Sequence, residues 1–593
     1  MRLTLIFIFL TIMLSCRAEI TPEDKPETVD QLFENYFKEI IKSYPETATR
    51  LRLDAKGKYR FDASALSDNS EKRYYQDFKI IKKYRSWADD FSDLPKQDAI
   101  ELKVFKAYLD EKIELEKYHM NLYVINSMFG MHVDLQTFMT EHHQINSRHD
   151  ALNFISRLQQ FEMKFKNMFI DLEYQKKHKI IPPVAIIDHT LNVLEDMTNN
   201  DPKENIFYQD FQSKIEKLEL TKDDELKLLS QVEEIVKTIV IPNYLKFTFE
   251  IENIRKTADY KTGVWKLPKG DDYYQYCLKK HTTTNLTAEE IHQLGLQEVS
   301  RIQTEMRKRF TELGFTEGET FGEIEGKWWN SLKGNKYSFS SGEKGKQQAL
   351  NHYLKILDET KEKLPDYFAR IPATEVTVKR VPTHKEKFTG AHYQRAPSDN
   401  SGIAAFYANL NWIPKKSGMA TLLYHETIPG HHLQIAYATE FCHSPMYRNF
   451  TFFTGFIEGW ALYAEKLTFE EGWHKDIHSE LGYLASELHR AVRLVVDTGI
   501  HVRKWSRSEA YKYMQDNLGW ASYGEINRYT VWPGQACAYK IGELKILELR
   551  QKTRDQLGND FNLKEFHEVV LSNGSIPLSV LEEVVDDWLE SKK

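Results

Sequence analysis

Apolar residues recur at helical spacing through most of this chain, and that period decides its fold class before any motif is considered. In Val29-Asp30-Gln31-Leu32-Phe33-Glu34-Asn35-Tyr36-Phe37 the residues Val29, Leu32, Phe33 and Tyr36 share one face, the pattern of an amphipathic helix. The same period returns around 74–87, 99–118, 152–172 and 222–255. Thr287 stands three residues before Glu290, a capping box that opens a further long helix over 288–313. Strand-like stretches are few: Glu375-Val376-Thr377-Val378-Lys379-Arg380-Val381, and residues 402–410 with the sequence GIAAFYANL. The expected fold is mainly α with a small β element.

Gly263, Pro268 and Gly270 punctuate a stretch without helical period, which places a boundary near residue 270. It separates an N-terminal helical region, 29–270, from a C-terminal region, 271–593. With 593 residues, 41% of them hydrophobic and 13% aromatic, the chain can bury a large core. Its first fifteen residues, MRLTLIFIFLTIMLS, carry one arginine and an apolar run too short to span a bilayer comfortably, the form of an export signal. Leu14-Ser15-Cys16 resembles a bacterial lipobox, so residues 1–18 read as a lipoprotein signal with Cys16 lipidated and 19–28 as a tether; ordinary cleavage after Ala18 is the alternative. The chain is therefore expected to be exported, as an envelope lipoprotein or a periplasmic or secreted protein, touching a membrane only through that anchor. Lys plus Arg number 80 against 87 Asp plus Glu, with both signs mixed along the chain, and nothing in that balance suggests a nucleic-acid partner. Cys277, Cys442 and Cys537 are scattered and odd in number, which suits buried apolar filler and not a disulfide framework.

One segment carries chemistry: His425-Glu426-Thr427-Ile428-Pro429-Gly430-His431-His432. In His-Glu-x-x-His, two histidines four apart on one helix face bind zinc and the glutamate handles the proton of a water. Here Pro429 occupies the place of the second histidine, and proline both lacks a donor and clashes with the carbonyl four residues back. On an unbroken helix His431 would lie roughly 240° around from His425, and His432 only about 20° off its face. A bulge at Pro429-Gly430 would instead return His431 to an effective spacing of four. His431 is the preferred ligand and His432 its rival; a solvated, histidine-rich helix end is the plain alternative. The third ligand expected is Glu458, 27 residues after His431 on a returning helix. Glu465, seven further on, shares its face and could orient a ligand histidine.

These residues carry a resemblance. HETIPGHHLQ from His425, EGWALYAE from Glu458, Asp497-Thr498-Gly499-Ile500-His501 and Pro533-Gly534-Gln535-Ala536-Cys537 together look like the bacterial domain of unknown function family number 885, over nearly the whole mature chain. That family is in turn similar to helical zinc peptidases that include angiotensin-converting enzyme and thermostable carboxypeptidases. The resemblance implies a large multi-helix peptidase-like fold, a small β element lining a deep cleft, and zinc as cofactor. It aligns Gly430-His431 with the ligand histidine and Glu458 with the third ligand. Glu426 is then the general base, and a downstream histidine and tyrosine stabilise the oxyanion, roles that fall to His501 and to Tyr529, with Tyr539 as the second choice for the tyrosine. It also implies that a strand upstream of the motif, Phe406 to Asn409 with Tyr407 and Asn409 foremost, pairs with substrate backbone. A peptide C-terminus would need a cation; Arg528 is favoured and Lys540 is weaker. The expected activity is zinc-dependent hydrolysis of short peptides, by an exopeptidase more than an endopeptidase. Hydrolysis of a non-peptide amide and peptide binding without catalysis are the alternatives.

Overall fold

The computed structural model describes residues 25–593 apart from 54–56, 127, 200, 384–385, 387–389, 397–402 and 443. Cys16, the signal segment and most of the tether lie outside the described residues. Lys25 pairs with Asp90 at 2.8 Å, and Thr28 caps the first helix, Val29–Ile41, by accepting from the Gln31 amide.

The molecule is mainly helical. The expected helices are present, with three instructive differences. Residues 152–172 belong to two helices, Arg148–Gln159 and Phe161–Lys177, because the chain turns at Gln160. The stretch 222–255 runs as Lys222–Ile235 and Ile241–Arg255, joined by a wider turn over Val236–Val240. That turn lets Pro242, which has no amide hydrogen to give, enter at the start of the second helix. The third is the motif itself, described below. The capping box at Thr287 and Glu290 forms as read, closing the helix Ala288–Glu312 at its N-terminus.

Among the described residues three strands make one small sheet: β1 (Val376–Arg380), β2 (His392–Gln394) and β3 (Ala404–Ala408), in the order β1-β3-β2. β3 is parallel to β1, Val378 opposite Phe406, and antiparallel to β2, Tyr393 opposite Phe406. β3 is therefore central, with its backbone paired on both sides, and this corrects the expectation that Phe406 to Asn409 offer a free edge to a substrate. Tyr407 stacks on His392, ring centroids 5.4 Å apart, while Asn409 gives its side-chain amide to the Glu386 carbonyl.

Among the described residues, burial divides the interior into three cores. One joins Val29 to Tyr123 with residues from Val264 to Leu589, including β1, β3 and the helices around the motif. A second lies within residues 66–254, among the helices of the N-terminal region. The third packs Ala288–Glu312 against Ile477–His501. The first core thus draws on both sides of residue 270. The helix Thr454–Glu470 lies close along Ala538–Leu557: a Cβ on Gly459 would fall 2.5 Å from the backbone of Gly542, so the approach requires glycine there. None of the helices among the described residues is long and apolar enough to cross a membrane. Cys277, Cys442 and Cys537 are free thiols.

Candidate metal centre

Pro429 breaks the helix outright. Lys416–Glu426 ends one residue after His425, and a new helix, His431–Phe441, begins at His431. The bulge expected at Pro429-Gly430 is corrected to a complete interruption, since proline cannot donate to the carbonyl of His425 and its ring cannot pass it. The break is held by its own contacts. Thr427 closes the first helix by giving its amide and its hydroxyl to the Leu423 carbonyl, at 2.8 and 2.7 Å. Leu433 reaches back to the Thr427 carbonyl, and the Trp460 indole donates to that of Pro429 at 2.9 Å. Gly430 passes so near the first helix that a Cβ would sit 2.1 Å from the His425 carbonyl oxygen.

The result brings together residues that a straight helix would separate. The His425 and His431 rings lie edge to face, centroids 4.7 Å apart. Glu458, one turn into Thr454–Glu470, points at both: its Oε2 is 3.5 Å from His425 Nε2 and 3.4 Å from His431 Nε2. One ligand atom from each of the three can be chosen so that all lie within 4.8 Å of one another. Behind them Glu465, 1% exposed, accepts from His425 Nδ1 at 2.8 Å and is itself held by Ser486 and Arg490. That bond holds one proton of His425 on Nδ1, so that Nε2 is the nitrogen turned to the cluster.

The donor set fits a cation. Glu458 Oε2 and His431 Nδ1 are buried with no hydrogen-bond partner among the described residues, and a buried carboxylate facing two imidazole nitrogens calls for positive charge between them. Burial opposes a charge on His425, yet Glu458 and Glu465 beside it lift its pKa to about 9. Burial likewise works against the charge of Glu458, but His425 and His431 hold its carboxyl well below the usual range. Two imidazoles and one carboxylate, with a second carboxylate behind a histidine, is the composition of open zinc sites. Glu426, 8% exposed at the end of the first helix, accepts no hydrogen bond from the described residues.

Other expected residues stand elsewhere. His432 gives Nε2–H to the Thr374 carbonyl at 2.9 Å and accepts from the Tyr393 hydroxyl at 3.1 Å, so both its nitrogens are engaged beside the sheet. His501 is fully buried; its Nε2–H donates to the Tyr529 carbonyl at 3.0 Å, and its Nδ1 accepts from the Val264 amide at 3.1 Å. With no nitrogen left for an oxyanion, His501 is corrected from catalytic donor to the pin that fixes the Gly263 segment to the C-terminal region. Tyr529 is 1% exposed and gives its hydroxyl to Glu525 at 2.8 Å. Lys540, without exposure, is enclosed by Glu298, Glu487 and Glu543, which rules it out as a free substrate cation. Arg528 bonds Gln535 and the Tyr539 hydroxyl. A cavity of about 1050 Å³ opens at the start of the Glu458 helix, lined by Phe453, Thr454, Trp532 and His281 among others, but not by His425, His431 or Glu458.

Sequence reasoning missed Ser486, Arg490 and Trp460. Their spacing to the motif carries no period, and only the packing of Ile477–His501 and Thr454–Glu470 against the broken helix brings them there.

A crystal structure of a putative lipoprotein from Colwellia psychrerythraea is 29% identical and superposes with a TM-score of 0.90 over 95% of this chain and 99% of that one. A putative lipoprotein of unknown function from Shewanella oneidensis, 16% identical, shares the fold with a TM-score of 0.73 over 94% of this chain and 100% of its own. No curated protein matches. The model of the bacterial proteins of unknown function called DUF885 matches residues 45–585, and the chain belongs to that family.

Proposed function

We propose that this protein is a zinc-dependent peptidase acting on short peptides. The observation that carries the reading is the meeting of His425, His431 and Glu458 around one point across a broken helix, with a partnerless carboxylate oxygen among them. Bound there, zinc would supply Lewis acidity toward a carbonyl oxygen and toward water. The chain's own groups do the rest. Glu465 keeps His425 in the tautomer whose Nε2 is free to bind. Glu426, next in sequence to His425, takes the proton of the attacking water and returns it to the leaving amine. Substitution of Glu426 by Gln should leave zinc content unchanged and abolish hydrolysis of a mixed tripeptide to pentapeptide library; zinc-loaded wild type that cleaves none of the library contradicts the reading.

A second reading, a peptide-binding protein without catalysis, is favoured by one observation: both nitrogens of His501 and the hydroxyl of Tyr529 are already engaged, so neither serves as an oxyanion donor as placed. Similarity to proteins named putative lipoproteins supports an exported, lipid-anchored location, with Cys16 as the acceptor. Mass spectrometry of the N-terminal peptide from the native envelope fraction tests it.

A further inference from the structure

The cavity of about 1050 Å³ at the start of the helix Thr454–Glu470 has no part in the chemistry proposed above, yet it begins one helical turn away from it. Thr454 lines the cavity, and Glu458 follows it by four residues. Residues so spaced share a helix face, with Cβ atoms about 5–6 Å apart. That face is not packed shut: Thr454, Ile457 and Glu458 are half-buried, while Gly455 and Gly459 on the neighbouring face are buried against other backbone. At roughly 3.5 Å per extended residue, a peptide bond held at the cluster leaves side chains one or two residues away within reach of the cavity.

What the cavity selects follows from its lining. Its wall is apolar and largely aromatic: Tyr276, Phe453, Ile541 and Leu578 are buried residues of it, and Trp532 stands edge to face with His281, ring centroids 5.9 Å apart. Its charges answer one another. Each lining lysine, Lys112, Lys279, Lys280 and Lys545, faces a lining carboxylate within 3.7 Å. The remaining acids, Asp110 and Glu290, are held by Arg85 and by the Thr287 cap. Burial, and Lys280 after it, push the His281 pKa down to about 3, so that side chain stays neutral. No single charge is left to call for an ion, and shape with apolar surface decides what enters. Phe452 is a second sign: its ring, at the lip, is 74% exposed. A large ring left in water beside an apolar hollow gains by being covered. At about 1050 Å³, the top of the roughly 300–1000 Å³ range of sites that enclose a whole small ligand, the cavity has room for more than one side chain.

We infer that this cavity receives the bulky apolar side chains of the peptide held at His425, His431 and Glu458, aromatic ones foremost, so that the protein selects short peptides carrying Phe, Tyr, Trp or Leu. This rests on the peptidase reading and names its substrate class. Phe452 packs against the entering ring from the lip.

The test uses the full chain and tetraalanine, with each position replaced in turn by Phe, Leu or Ser. Binding is measured by calorimetry to zinc-loaded Glu426→Gln and turnover by mass spectrometry with zinc-loaded wild type, while the neutral fluorescent dye N-phenyl-1-naphthylamine follows the cavity itself. At one position Phe should raise affinity and kcat/KM about 10-fold or more over Ala and Ser, the order of discrimination an apolar pocket supplies, and the Phe peptide should displace the dye. Leu544→Trp, which fills the cavity, should bring that ratio toward unity and weaken dye binding; Phe452→Ser should cut the ratio several-fold, with zinc content unchanged in both. Phe, Ala and Ser peptides bound alike, no binding of any of them, or a preference that survives both variants overturns the assignment. So does dye that Phe peptides fail to displace, which would give the cavity to a non-peptide apolar ligand. Absence of turnover sinks the peptidase reading alone, since the binding ratio on Glu426→Gln still decides the cavity. If Leu544→Trp does not fold, Phe452→Ser, on an exposed side chain, decides between these outcomes.

Discussion

Replacing Gly430 by Ala is the sharpest perturbation of the broken helix, because it adds one carbon where the backbone leaves no room. The new Cβ would lie 2.1 Å from the His425 carbonyl oxygen and 2.3 Å from that of Tyr424. Both obstacles are backbone, so neither can swing aside as a side chain would. Ordinary contact requires a retreat of about 1 Å, and overpacking of this kind costs about 1–3 kcal/mol. His431 follows Gly430 directly and moves with it. Zinc-to-nitrogen bonds are about 2.0–2.1 Å and tolerate a few tenths of an ångström, so a shift of that size removes a ligand. Zinc affinity, measured by competition with a chromophoric chelator, should fall by more than the roughly 10-fold to 100-fold cost of losing an outer partner. Gly418→Ala is the control, since its Cβ would meet nothing within 4 Å. A Gly430→Ala protein with wild-type zinc affinity and wild-type melting temperature would refute the idea that this close approach sets the site.

Glu465→Gln keeps the volume but loses the charge behind His425; zinc affinity should drop about 10-fold to 100-fold with the fold intact by circular dichroism. Trp460→Phe leaves the buried Pro429 carbonyl without its donor, and denaturant unfolding should show a loss of about 1–3 kcal/mol. Stability should also decline in acid. Burial, the leading cause in each case, lowers His143 and His567 to about 3 and His501 to about 4, against about 6.5 in the unfolded chain. Below 6.5 the unfolded state therefore binds protons that the native state refuses, so the contribution of these residues is whole above that pH and drains away as pH falls toward 3 to 4. Urea midpoints measured from pH 7 to pH 4.5 should fall steadily; a flat profile would contradict neutral burial of these histidines.

Where periodicity or a cap carried the signal, the sequence was readable: Val29–Ile41, Ala288–Glu312 with its Thr287 cap, and the two longer strands are where the residues place them. β2 was not legible, because three residues present no period. The central position of β3 was not legible either, since pairing order is decided by contacts far along the chain. In the candidate site, Glu458 and Glu465 could be placed on one face because spacing on a helix maps to direction, whereas His431 was preferred on an expected bulge and comes beside His425 only because the helix breaks. His501 misled: a histidine in a polar motif looks the same in sequence whether it serves a reaction or ties two backbone segments together. Arg490 gave no sign, since an arginine's partners are chosen by the packing of Ile477–His501 and not by its neighbours.

On the proposed reading, His425, His431 and Glu458 together hold one divalent ion. Metal-stripped protein equilibrated with zinc and freed of excess should retain close to one equivalent by elemental analysis in the wild type and in His432→Ala. His425→Ala, His431→Ala and Glu458→Ala should each retain almost none. Wild type that retains no zinc, or a series in which His432→Ala alone loses it, would contradict the account.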